Sequence, residues 1–116
     1  MQVEDIKIFM PSKDYAVSQL FYQEIGFVAD PVNDHLTLFS NGECQFFLQR
    51  FYDRSLAENL MLQICVTDIQ AAHLLCERTE HKQKISAITD EPWGQVFYLW
   101  GPSGELLHMT QLKSGQ

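Results

Sequence analysis

Asp14 and Asp68, 54 residues apart in a chain of 116, stand at the same point of a pattern that the sequence runs through twice. Residues 6–10 read as a strand, which Pro11 stops, and Ser12 or Asp14 then offers a helix cap. Val17, Leu20, Phe21 and Ile25 follow at helical spacing on one stripe, and Gly26 stands where a helix C-terminal glycine belongs. Residues 27–29 and 36–39 begin two strands. Ser40-Asn41-Gly42-Glu43 signals a hairpin with a type I′ turn, because Asn-Gly accepts positive φ. Residues 45–51 supply the last strand of this half.

A polar connection over residues 53–59 separates the two passes. Residues 60–66 read as a strand, and Thr67-Asp68-Ile69-Gln70 resembles a capping box. Ile69, Ala72 and Cys76, widened by Leu75, form a helical stripe that runs to about Arg78. Residues 85–88 make a short strand, and a final hairpin completes the set. The reading is one α+β domain over residues 1–116, built of two βαβββ modules at 1–57 and 58–116.

The final hairpin carries the most chemistry. Residues 96–100 and 106–110 are two apolar runs, and Pro102-Ser103-Gly104 between them supplies a fixed φ, a side-chain turn former and a glycine. Tyr98 and His108 share parity, so on paired strands they face the same side. A phenol and an imidazole in an apolar hairpin need polar partners or a ligand.

Charge and composition exclude several functions. The net charge of −7 and the absence of any lysine/arginine cluster argue against nucleic acid. An acidic surface favours a cationic small molecule, and solubility alone explains it equally well. The first five residues carry acids where a signal peptide carries bases, and no long apolar span follows, so the expectation is a cytoplasmic protein that avoids membranes. Cys44, Cys65 and Cys76 lack metal-type spacing and read as reduced, mostly buried thiols. His35 sits by a turn, while His73 and His81 fall on the second helix or its end, in surface or capping roles.

Three pieces together, Phe21-Tyr22 with Gly26-Phe27, the helix entry Val66-Thr67-Asp68-Ile69, and Trp93-Gly94 with Gly101-Pro102-Ser103-Gly104, resemble the vicinal oxygen chelate superfamily. That group holds glyoxalase I, extradiol dioxygenases, fosfomycin-resistance enzymes and bleomycin-resistance proteins. The last piece matches the family's Trp-Gly…Asp-Pro-x-Gly turn, with Gly101 where aspartate is usual. The resemblance implies a cupped mixed sheet with helices on its outer face. It also implies four metal-ligand positions, which fall on Lys7, on Leu48 (or Gln49, one residue on), on Met61 and on His108. Only His108 is a useful ligand for a divalent cation. The resemblance therefore points to no metal and no other cofactor.

Within that family the closest character is that of the bleomycin-resistance members, which cup a bulky cationic drug and sequester it without chemistry. This implies antibiotic-type ligand binding, with Lys7, Phe9, Leu48, Met61, Trp93, Tyr98, Trp100 and His108 as the ligand-binding set. It also implies a homodimer, whose modules pair across chains to close the cup. The alternative is a lyase, isomerase or dioxygenase-type enzyme with His108 as base or metal ligand, Tyr98 and Lys7 stabilising an enolate-like intermediate. A third possibility is a subunit or interaction domain with a vestigial groove.

Overall fold

In the computed structural model, residues 1–80 and 84–113 are described, and His81 lies outside them. The chain runs β1 (Phe9–Met10), α1 (Tyr15–Glu24), β2 (Val28–Asn33), β3 (Leu36–Asn41), β4 (Cys44–Gln49), α2 (Arg54–Asn59), β5 (Met61–Cys65), α3 (Ile69–Glu77), β6 (Lys84–Ile85), β7 (Thr89–Glu91), β8 (Gly94–Trp100) and β9 (Leu106–Leu112). The first four strands form a sheet in the order β1-β4-β3-β2. The rest form a second sheet in the order β5-β9-β8-β6, with β7 also pairing β8. β1 runs parallel to β4 and β5 parallel to β9, and the other pairs are antiparallel. The architecture is the doubled α+β arrangement read from the sequence.

Both long helices begin as the repeat implies. The carboxylate of Asp14 accepts from the Val17 amide and that of Asp68 from the Ala71 amide, 3.1 Å in each case. Each satisfies one of the backbone donors that a helix start leaves free. Gln70 falls one position short of the reciprocal contact, so no capping box forms.

Several local expectations need correcting. The first strand covers only Phe9–Met10, and ahead of it the Asp5 carboxylate bonds locally, to the Ile6 amide and the Lys7 ammonium. The β3–β4 turn has Gly42 at its first central position with φ 59°, while neither Asn41 nor Glu43 has positive φ. That is a II′ rather than a I′ arrangement, and the Asn41 amide is free to donate to the Gly26 carbonyl. The buried stripe of α1 is Tyr15, Ser18, Phe21 and Tyr22, and Leu20 is exposed. Of the strand expected at 85–88 only Ile85 lies in one, β6; Ser86 then bonds β8 at Tyr98, its Oγ accepting from the Tyr98 amide at 2.8 Å, and β7 begins at Thr89. The polar connection contains α2, capped by Asp53. Of the cysteines only Cys76 is buried, and burial pushes its thiol up to about 11. Cys44 begins β4 beside a turn and Cys65 ends β5, so both are exposed.

One core serves both halves. Met10, Phe21, Tyr22, Phe39, Phe46 and Leu48 from the first join Ile69, Cys76, Phe97, Leu99, Leu107 and Met109 from the second. Tyr22 is its centre, with the rings of Phe21, Phe27, Phe39 and Phe46 at 5.0 to 6.1 Å. Its hydroxyl donates to Glu105 at 2.7 Å, and the other Glu105 oxygen accepts from the Ser103 amide at 2.9 Å. Ser103 Oγ in turn accepts from the Lys13 amide at 2.8 Å. The β8–β9 turn is thereby fastened to the residue ahead of the α1 cap and to the last turn of α1. Burial pushes the Glu105 carboxyl above its usual range, against the pull of those donors. Burial, and then the nearby Glu105 charge, push the Tyr22 phenol up as well. Gly101 is required here: a Cβ at that position falls 2.4 Å from the Glu105 carboxyl carbon.

Candidate functional site

Alternation along β8 and β9 decides what faces where. Phe97, Leu99, Leu107 and Met109 are buried under α3, so their neighbours Tyr98, Trp100, Leu106 and His108 point to the opposite, open face. Tyr98 and His108 are direct cross-strand partners, with ring centroids 5.0 Å apart at 84°. Trp100 lies 6.4 Å from Tyr98, ring to ring, and the Lys84 ammonium stands 4.8 Å from the Trp100 centroid. From β5, Met61, Gln63 and Cys65 share this face, since they pair with Leu106, His108 and Thr110. Met61 is 62% exposed.

His108 Nε2 is buried yet has no hydrogen-bond partner among the described residues. Such an atom costs free energy unless something completes it, of order 1–3 kcal/mol. It is the clearest chemical asymmetry of the open face. No aspartate or glutamate stands on the open-face positions of β5, β8 or β9. The net negative charge of the chain is carried elsewhere.

The first sheet has its own open face. Phe9 and Phe47 stack there at 4.8 Å, and Phe9 is 51% exposed. Lys7 shares the parity of Phe9 and pairs with the Asp5 carboxylate. Leu48 is corrected: it is fully buried against α1 as the register partner of Met10 and Thr37. Of the two positions left open by the sequence, Gln49 has the parity of Phe47 and lies on the open side. Trp93 sits in the β7–β8 turn, at the end of β8 remote from Trp100, about 20 Å along the strand.

The eight expected residues thus divide. Tyr98, Trp100, His108 and Met61 come together on the second sheet, Phe9 is on the first, Lys7 precedes β1 and pairs with Asp5, Trp93 stands apart and Leu48 is in the core. No hydrogen bond or ring contact joins the two open-face sets among the described residues. Phe47, Gln63 and Lys84 were missed, though the period of two from Met61 points to Gln63.

The donor set does not fit a divalent metal. Lys7 is cationic and paired, Leu48 is buried on the wrong face, and Met61 offers only a thioether beside His108. No group of three or more His, Cys, Asp or Glu suited to a metal occurs among the described residues. His73 is used structurally: Nε2 lies 2.8 Å from the Ser86 carbonyl, Nδ1 2.7 Å from Glu77, and its ring meets Phe97 edge-on. His35 lies in the β2–β3 turn, where its amide donates to Asn33. No helix is long and apolar enough to cross a membrane among the described residues.

No protein-family model matches the chain, and no curated protein does. Solved structures do. A bleomycin resistance determinant encoded on the transposon Tn5 superposes with TM-score 0.78 at 19% identity, over 96% of this chain and 99% of that one. A bleomycin-binding protein complexed with bleomycin gives 0.76 at 20%, over 96% and 100%. The antibiotic binding protein TnmS3 from Streptomyces sp. CB03234 gives 0.79 at 15%, over 97% and 99%. With the two helix-backed sheets described above, these matches show that the chain has the fold of the glyoxalase/bleomycin resistance proteins.

Proposed function

We propose that this protein binds a bulky, ring-bearing small molecule, without a metal, on the open face built by Tyr98, Trp100, Met61 and His108. The observation that carries this reading is the buried, unpartnered Nε2 of His108, set beside the edge-on ring of Tyr98. An aromatic wall provides rigid area at low entropy cost. The solved structures of a bleomycin-binding protein with its drug and of an antibiotic binding protein support a ligand-binding use of the fold. The cationic preference expected from net charge finds no acid on this face to support it.

A shallow sheet face becomes a groove when something closes it. The outer edges of β1 and β5 are both unpaired in the single chain, and a second copy with twofold symmetry is the simplest closure. Sedimentation at micromolar concentration is expected to give twice the 13.4 kDa monomer mass.

Native mass spectrometry of protein purified from its host tests the binding function. A small molecule that co-purifies with the wild type and is absent from Tyr98→Ala supports it. Co-purification undiminished in Tyr98→Ala places the molecule elsewhere and refutes the assignment. His108 Nε2 also has the chemistry of a general base. Conversion of the bound molecule that stops in His108→Gln while binding persists would favour the catalytic alternative.

A further inference from the structure

Acids outnumber bases by fifteen to eight in this chain, yet two of its lysines share a cleft with no free carboxylate. The cleft, about 330 Å³, lies where β6, the β8–β9 turn and α2 meet, with Lys13 and Lys84 on its walls. The rings of Tyr52 and Trp100 also line it, and Gly104 and Glu58 approach each other so closely that a Cβ on Gly104 falls 3.2 Å from the Glu58 side chain. Glu58 is the one acid lining it, and the Arg54 guanidinium holds it at 3.0 Å. Asp14 and Asp53, adjacent in sequence to Lys13 and Tyr52, are occupied as helix caps for the Val17 and Leu56 amides. Neither lysine has a carboxylate partner among the described residues. Lys84 leans on the Trp100 ring instead, and the Lys13 backbone is fixed to Ser103.

We propose that this cleft binds a planar aromatic anion, its carboxylate, sulfonate or phosphate between Lys13 and Lys84 and its ring against Trp100 and Tyr52. Two ammonium groups without counter-charge favour an anion locally, whatever the sign of the whole surface. Two aromatic walls select for a ring attached to it. A free tetrahedral phosphate finds here neither an arginine fork nor a nest of backbone amides. The cleft shares Trp100 with the open face of the second sheet but uses neither Tyr98 nor His108, so the two readings fail separately.

The test compares fluorescence titrations of anilinonaphthalene sulfonate with its neutral parent, phenylnaphthylamine. The wild type is expected to bind the sulfonate about tenfold more tightly than the neutral compound, a margin that shrinks as salt rises. Lys13→Gln/Lys84→Gln, both at exposed positions, should remove the margin and leave the neutral compound within about twofold of its wild-type affinity. Tyr98→Ala should leave the margin intact. Equal binding of the two probes by the wild type, or a margin that survives the double lysine variant, overturns the proposal. Inorganic phosphate that displaces the sulfonate at micromolar concentration overturns the aromatic requirement.

Discussion

Tyr98 and His108 face each other across the β8–β9 ladder, rings 5.0 Å apart and nearly perpendicular, on the face opposite the buried Phe97 and Met109. Both residues are half-buried, and one imidazole nitrogen of the pair is closed off from water without a partner among the described residues. A fold has no use for that arrangement. Replacing His108 by leucine removes the unsatisfied atom and keeps much of the bulk, so stability should stay level or rise by up to about 1 kcal/mol. Urea unfolding measures this, and a loss above about 1.5 kcal/mol would mean that Nε2 does have a partner in solution.

Phe21 gives the contrasting case. It is fully buried beneath α1 with Tyr22 edge-on at 5.0 Å. Phe21→Ala should cost about 3–5 kcal/mol, whereas Tyr98→Ala should cost under about 1.5 kcal/mol. The same unfolding series reads both. Equal losses would place Tyr98 in the core.

Glu105 makes stability depend on pH in an unusual direction. Its folded carboxyl is held above the usual range by burial, so the folded state keeps the proton more tightly than the unfolded chain. The contribution is therefore complete below the unfolded value, about 4.3, and is lost as pH rises through the higher folded value. The stability of wild type minus that of Glu105→Gln should fall as pH is raised from 4 to 8. A difference that grows with pH would show that Tyr22 and Ser103 stabilise the charge more than burial penalises it.

Gly101 and Glu105 should be energetically coupled. A Cβ at 101 meets a carboxyl group that cannot move without leaving Tyr22 and Ser103. Gly101→Ala should cost about 1–3 kcal/mol in the wild type and less in Glu105→Ala, where the space is vacant. A double-mutant cycle with zero coupling would contradict the arrangement.

How far the chain was readable follows from pattern strength. The last hairpin was legible because Pro-Ser-Gly marks its turn and parity alone puts Tyr98 with His108. The two helix starts were legible because Asp14 and Asp68 are capping residues in equivalent places. In β4 the apolar run Phe46-Phe47-Leu48 offers no alternation, so the open-face residue was misassigned to Leu48 when Phe47 and Gln49 have that parity. On α1 the helical stripe admits a rotation of one position, and packing against Phe39, Phe46 and Glu105, the last 83 residues away, selects Tyr22 over Leu20. Lys84 escaped notice because its place depends on the β6–β8 register, set by Ser86 binding Tyr98.

Metal titration separates a binding face from a metal centre. Melting temperature scanned with Zn²⁺, Mn²⁺, Ni²⁺ and Fe²⁺ should stay flat, since a bound ion at a hundredfold excess over its dissociation constant adds about 2.7 kcal/mol. A rise of several degrees that disappears in His108→Leu would contradict the poor fit of the Lys7, Met61 and His108 donor set.

Ligand-observed NMR against a library of aromatic small molecules puts the proposed face itself to the test. Wild-type protein, Tyr98→Ala and His108→Leu are screened side by side, with unfolding curves confirming that all three are folded. Compounds that bind the wild type and are lost from both variants, with no metal added, are the predicted result. A wild type that binds nothing, or compounds that bind all three proteins alike, would contradict a ligand site at Tyr98 and His108.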